Sequence, residues 1–74
     1  MPKLKPEKPV VVIQRLRQFG FEGPFGGGRH VIMRHPISKV KIPIPIHGNR
    51  DLPVGTIKAI LREAGISPEK WQEK

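Results

Sequence analysis

The sequence contains no cysteine and no tyrosine, and its aromatic residues are limited to three phenylalanines and one tryptophan. The lack of cysteine excludes disulfide bonds and thiolate metal sites. No apolar run is long enough for a membrane span or for the core of a secretory signal, so we expect no membrane partner and a cytoplasmic location. Acidic residues are also scarce, because six Asp and Glu stand against 14 Lys and Arg.

The charge balance of this 74-residue chain points to a polyanionic partner. Its net charge of +8 exceeds what solubility requires of so small a domain. All six acidic residues lie outside the segment 23–50, which carries the basic residues Arg29, Arg34, Lys39, Lys41 and Arg50. An anionic membrane or an acidic protein would also suit this charge, but the long basic amphipathic helix typical of membrane binding is absent. We therefore expect contacts with the phosphate backbone of a nucleic acid.

The segment from Pro9 to Phe19 is predicted to be a helix. Val12, Leu16 and Phe19 have the spacing of one helical face, proline suits the first helical position, and the glycine after Phe19 suits the left-handed residue that ends a helix. The β-branched run 10–13 by itself would favour a strand. The helical spacing and the two end signals outweigh that local preference, so we predict a helix.

The remaining elements predict an α+β fold. They are a first strand near 21–25 that is short or bent by its Gly-Pro pair, strands at His30–Arg34 and 41–47, a helix at 53–64 and a short helical turn after Ser67. We expect a small antiparallel sheet of two or three strands with two helices on one face, in the order α-β-β-β-α. Alternating proline and charge in residues 1–8 predicts a disordered basic tail, which leaves residues 9–74 as a single domain.

Alternation along the strands predicts an open, basic sheet face opposite the helices. It would carry His30, Arg34, Lys41 and His47. No aromatic residue falls on the strands assigned to this face, so we expect charge and backbone shape, rather than base stacking, to dominate binding.

Two prolines predict the position of the third strand. Pro43 and Pro45 alternate with isoleucines that should face the core, and both lack an N–H group on the same lateral edge. The strand 41–47 is therefore expected at an edge of the sheet.

Three histidines, His30, His35 and His47, are the candidate catalytic groups. No cluster of His, Cys, Asp or Glu has the spacing of a metal site. A histidine can take the proton from an RNA 2′-hydroxyl while Arg or Lys stabilises the phosphorane, and such chemistry cuts RNA and spares DNA. The residues alone leave all three histidines open, and exposed histidines are usually incidental. The turn Gly26-Gly27-Gly28 permits close approach to a phosphate but is also typical of a flexible hairpin connection.

Five segments between Val10 and Trp71 are specific in combination and order. They are Leu16-Arg17-Gln18-Phe19-Gly20-Phe21, Gly28-Arg29-His30, Arg34-His35-Pro36, Ile44-Pro45-Ile46-His47-Gly48 and the segment 53–67. Taken together they resemble the HicA (YcfA-like) family of small toxins, mRNA interferases with a double-stranded-RNA-binding-domain-like fold.

The resemblance implies the toxin of a type II toxin–antitoxin pair, a metal-independent endoribonuclease that needs no cofactor. Its partners would be mRNA and a HicB-type antitoxin that covers the site. It implies that His30 is catalytic, whereas His47 shapes a loop or contacts RNA and His35 ends a strand. Two departures from the family are Arg29, where a small serine is common, and the Gly-Pro pair at 23–24, where the strand is often continuous.

The expected RNA contacts are Gly28, Arg29, Arg34, Lys39, Lys41 and His47. Two other functions fit the same residues. One is a non-catalytic RNA-binding module of the same fold, and the other is an open face that serves chiefly to dock an acidic protein.

Overall fold

The computed structural model describes residues 3–73, and the elements follow the predicted order. They are α1 (Pro9–Gln18), β1 (Glu22–Phe25), β2 (His30–Arg34), β3 (Lys41–Pro45), α2 (Val54–Ala64) and α3 (Pro68–Gln72). The sheet has the strand order β1-β2-β3, and both pairings are antiparallel. The predicted α-β-β-β-α fold is confirmed, with α3 as the short turn expected after Ser67.

α1 is helical despite its β-branched residues because both of its ends are specified. Pro9 occupies the first turn. At the other end Gly20 has a φ of +96°. The N–H of Gly20 donates to the carbonyl of Arg17 and the N–H of Phe21 to that of Leu16, each at 3.1 Å. This Schellman pattern satisfies carbonyls that the helix leaves free. The prediction of a helix is confirmed.

β1 contains a bulge at its Gly-Pro pair. Glu22 opposes Arg34 and Phe25 opposes Ile32, so three steps along β1 match two steps along β2. Gly23 has a φ of +132°, and a Cβ at this position would lie 2.8 Å from the carbonyl oxygen of Ile32. Only glycine can adopt this φ and leave room for the Ile32 carbonyl without strain. The short, bent first strand is therefore as predicted.

β3 lies at an edge of the sheet, as its prolines predict. Ile42 and Ile44 are fully buried. The N–H of Ile46 donates to the carbonyl of Arg29 at 2.6 Å, so by alternation the isoleucine N–H groups point toward β2. The nitrogens of Pro43 and Pro45 therefore lie on the outer edge, where they offer no donor to another strand.

The helices cover one face of the sheet and form the core with it. The buried apolar residues are Val12, Leu16, Phe21, Met33, Ile42, Ile44, Leu52, Ile57, Ile60, Leu61 and Trp71. They come from α1, β2, β3, α2 and α3, with Phe21 and Leu52 from connecting segments. The opposite face of the sheet has no second layer within residues 3–73.

α3 brings Trp71 into the core, as expected. The Ser67 hydroxyl accepts a hydrogen bond from the N–H of Lys70 at 3.2 Å and thereby caps the helix. Trp71 is 1% exposed. Its ring stacks against Phe19 with 6.0 Å between centroids, and the Arg15 guanidinium lies 5.5 Å from the ring centroid.

Residues 3–8 make contacts that their composition does not indicate. Leu4 is partly buried against the core. The N–H of Glu7 donates to the carbonyl of Leu52 at 3.3 Å, and the N–H of Leu52 donates to the carbonyl of Glu7 at 2.7 Å. A single leucine among prolines and charges gives no periodic signal, which is why these contacts escape prediction. The division into a tail and a domain stays a prediction, and its first two residues lie outside the described part.

Among the helices of residues 3–73, none is long and apolar enough to cross a membrane.

Candidate nucleic-acid interface

The sheet face opposite the helices, called the open face below, brings together side chains from all three strands. Its residues are Glu22 and Phe25 of β1, His30, Ile32 and Arg34 of β2, and Lys41, Pro43 and Pro45 of β3. Alternation places Val31 and Met33 on the other side, where Met33 is fully buried. The predicted grouping of His30, Arg34 and Lys41 on one face is thus confirmed.

His30 is an exposed residue at the start of β2, directly after the glycine-rich turn. It opposes Pro45. No hydrogen bond or ion pair to its imidazole occurs within residues 3–73. Gly26 and Gly28 have φ values of +82° and +77°, and a Cβ at either would meet nothing within 4 Å. The turn therefore needs glycine for its backbone angles, and it leaves the space beside the histidine open.

His47 follows the end of β3 that pairs with His30. The hydrogen bond from Ile46 to Arg29 extends the β2–β3 register by one pair, and His47 is the next residue along the chain. His47 is exposed, and its carbonyl accepts a hydrogen bond from the N–H of Arg50 at 3.0 Å.

The predicted cationic residues divide between the two ends of β2. Arg29 precedes His30 and is exposed. Arg34 opposes Lys41 at the far end of β2, four residues or about 13 Å from His30. Lys39 lies in the β2–β3 connection with a φ of +67°. Of this set, only Arg29 is adjacent in sequence to the histidine.

Arg34 is less free than the sequence indicates. Its guanidinium forms an ion pair with Glu22 at 3.7 Å, although Glu22 lies just outside the acid-free segment 23–50. Both side chains are about half exposed, so this pair is weak in energy. By contrast, Arg29, Lys39 and Lys41 form no ion pair within the described chain. Within residues 3–73 no acidic side chain competes with a phosphate for these three residues.

The expectation that the open face lacks an aromatic residue is wrong. Phe25 opposes Ile32, so it lies on this face, and it is 45% exposed. The Arg34 guanidinium carbon lies 5.4 Å from its ring centroid. The bulge at Gly23 causes the difference, because one extra residue puts Glu22 and Phe25 on the same side although they are three positions apart. The Gly-Pro break in the sequence was the available signal.

His35 has a structural role at the end of β2. Its Nδ1 accepts hydrogen bonds from the N–H groups of Ile37 at 3.2 Å and Ser38 at 3.3 Å. Its ring meets Phe21 edge-on, with 5.0 Å between centroids. These contacts explain the histidine without a catalytic role, in agreement with the expectation that it ends a strand.

The arrangement can perform proton transfer beside a bound phosphate. His30 supplies an imidazole at one end of the open face, His47 follows the adjacent end of β3, and Arg29 is the charged residue next to His30 in the chain. No group of three His, Cys, Asp or Glu side chains comes together within residues 3–73.

Comparison with protein families agrees with this geometry. A family model described as the HicA toxin of bacterial toxin–antitoxin systems matches residues 11–66, which is more than half of the chain. A search of the curated proteins gave no match. The matched region contains the three strands, α2 and most of α1, and it ends before α3. The chain therefore belongs to the HicA toxin family.

Proposed function

We propose that this protein is the toxin of a type II toxin–antitoxin pair and that it cleaves mRNA as a metal-independent endoribonuclease. The observation that carries the proposal is the position of His30. The residue is exposed on an uncovered, basic sheet face, and it follows a turn whose glycines leave room for a phosphate. The HicA family match supports the same function.

In the proposed step His30 acts as the general base. Its imidazole takes the proton from a 2′-hydroxyl, the O2′–P bond forms, and the P–O5′ bond breaks. The products are a 2′,3′-cyclic phosphate and a 5′-hydroxyl. The leaving 5′-oxygen must receive a proton, and His47 is our candidate donor because it follows the end of β3 that pairs with His30.

The cationic residues would contact two sets of phosphates, one at the cleaved bond and one farther along the RNA. Arg29 and the backbone of Gly28 adjoin His30 and are assigned to the scissile phosphate. Arg34, Lys39 and Lys41 belong to the far end of the face and are assigned to the phosphates of flanking nucleotides.

The decisive experiment is incubation of the pure protein with RNA in the presence of a chelator. The protein should release fragments that end in a cyclic phosphate, and an RNA carrying a single 2′-deoxynucleotide at the cleavage point should resist. His30→Asn, which preserves polarity and approximate size, should slow cleavage by about 10²–10⁴-fold. Undiminished cleavage by this variant would exclude the mechanism. Salt-sensitive RNA binding without new ends would instead favour the non-catalytic binding module.

The open face also supports the proposal of a HicB-type antitoxin as partner. Within residues 3–73 the face has no cover and bears cations without ion pairs, and the family is named for a toxin–antitoxin system. The product of the adjacent reading frame should co-purify with the protein and should suppress cleavage in proportion to occupancy. A complex that leaves cleavage intact would show that the antitoxin binds elsewhere.

A further inference from the structure

Phe25 is a large apolar side chain on the open face with no role in the step described above. It is 45% exposed, whereas most large apolar residues of residues 3–73 are in the core or packed against it. We propose that Phe25, backed by Arg34, is a stacking site for one unpaired RNA base, so that the substrate is single-stranded beside the cleavage point. This inference rests on the proposed action on RNA and specifies the class of RNA.

The surroundings of Phe25 suit a flat ligand. The Arg34 guanidinium lies over the ring, with 5.4 Å from its carbon to the ring centroid. Glu22 forms the 3.7 Å ion pair with the same guanidinium. The aromatic ring and the guanidinium are both planar groups on which nucleobases stack. Because Arg34 and Glu22 oppose each other across β1 and β2, the sheet itself orients this pair.

The stacking site lies next to the candidate catalytic residue. Phe25 opposes Ile32, and Ile32 is two positions from His30 on the same face. Phe25 and His30 are therefore diagonal neighbours, with about 7–8 Å between their Cα atoms. A base on Phe25 and the phosphate beside His30 can thus belong to the same or adjacent nucleotides.

The site discriminates between single and double strands on physical grounds. In an RNA duplex both faces of each internal base are already stacked on neighbours, and the A-form grooves restrict access to the bases. An unpaired base has free faces, and it stacks on an aromatic side chain with little dependence on sequence. Duplex RNA would then meet only the cationic residues, whereas single-stranded RNA would meet these and Phe25.

Binding can be measured without cleavage in a His30→Ala background. The probes are a short oligoribonucleotide of mixed sequence and the same oligonucleotide paired with its complement, both followed by fluorescence anisotropy. Phe25→Ala should weaken single-strand binding by about 5- to 150-fold and leave duplex binding unchanged. The salt dependence of single-strand binding should keep its slope, because the phosphate contacts remain.

Two conservative variants separate stacking from hydrophobic contact. Phe25→Tyr should bind the single strand about as well as the parent, whereas Phe25→Leu should lose most of the same affinity although it stays apolar. Val10→Ala is the matched control. Val10 is also exposed, at 57%, but it belongs to α1 on the helical side of the sheet, so neither RNA should be affected.

Several outcomes would overturn the proposal. One is an equal loss of affinity for single strand and duplex in Phe25→Ala. Another is full single-strand affinity in Phe25→Leu. A third is unchanged binding in every Phe25 variant, which would indicate that Phe25 contacts a protein partner instead. Failure of the catalytic proposal is distinct, because it appears as RNA binding by the parent protein without new RNA ends, and it leaves this binding comparison intact. Circular dichroism of each variant verifies that the fold is retained.

Discussion

Replacing Trp71 with alanine should destabilise the protein severely, although Trp71 lies beyond the part of the chain that matches the HicA family. The ring is 1% exposed, stacks on Phe19 and contacts the Arg15 guanidinium. Truncation of a buried tryptophan costs about 3–5 kcal/mol. A 74-residue domain has a total free energy of unfolding of roughly 4–11 kcal/mol, so the variant should lose at least about a quarter of it.

Urea unfolding followed by far-ultraviolet circular dichroism measures this loss without relying on the tryptophan signal. In thermal unfolding of a domain of this size, a loss of 1 kcal/mol lowers Tm by about 4–8 °C, so the Tm of Trp71→Ala should fall by at least about 12 °C. Trp71→Phe retains an aromatic ring against Phe19 and should cost clearly less than the alanine variant. Glu73→Ala, an exposed change at the end of α3, should stay within about 0.5 kcal/mol of the parent.

A loss below about 1 kcal/mol in Trp71→Ala would refute the reasoning, because it would be closer to the roughly 0.5 kcal/mol of an exposed substitution than to the cost of removing a buried ring. It would mean that α3 is not part of the cooperative core. The family match would then mark the limit of the stable domain, and removal of residues 67–74 should be tolerated.

Three further changes test the site and its supports. Gly23→Ala should lower the free energy of unfolding by about 1–3 kcal/mol, measured by thermal unfolding, because φ is +132° and the new Cβ would lie 2.9 Å from the Met33 sulfur. Gly27→Ala is the control and should be nearly neutral, because a Cβ there meets nothing within 4 Å. His35→Ala should cost about 1–2 kcal/mol in urea unfolding, because two turn N–H groups and an aromatic edge contact lose their partner. Lys41→Gln should reduce the salt slope of single-strand binding by about 0.7, and an unchanged slope would remove this lysine from the interface.

The fold was predictable where local signals agreed with one another. α1 carries a helical spacing, a proline in its first turn and a glycine after its end, and these outweighed its β-branched residues. β3 carries strict alternation, with Ile42 and Ile44 buried and prolines between them. The contact of Leu4 with the core was not predictable, because one apolar residue in a proline-rich segment specifies no partner.

The sequence predicted which residues share the candidate site better than it predicted the ion pairs among them. Period-two alternation is enough to place His30 and Arg34 on one face, since every regular strand obeys it. The pairing of Arg34 with Glu22 depends on the register of β1 against β2. Neither composition nor spacing along a single strand contains that register, so the sequence made Arg34 look more available to a phosphate than it is.

Phe25 shows how one backbone irregularity changes a functional interpretation. If β1 were regular, alternation from Glu22 would put Phe25 on the opposite face. The open face would then contain charged residues and no aromatic ring. The bulge reverses this assignment and places the ring in register with Ile32. Since Gly23 is the residue whose φ and missing Cβ permit the bulge, its replacement should misplace Phe25 as well as destabilise the sheet. Under the proposed base stacking, Gly23 is therefore a positioning residue for the Phe25 ring.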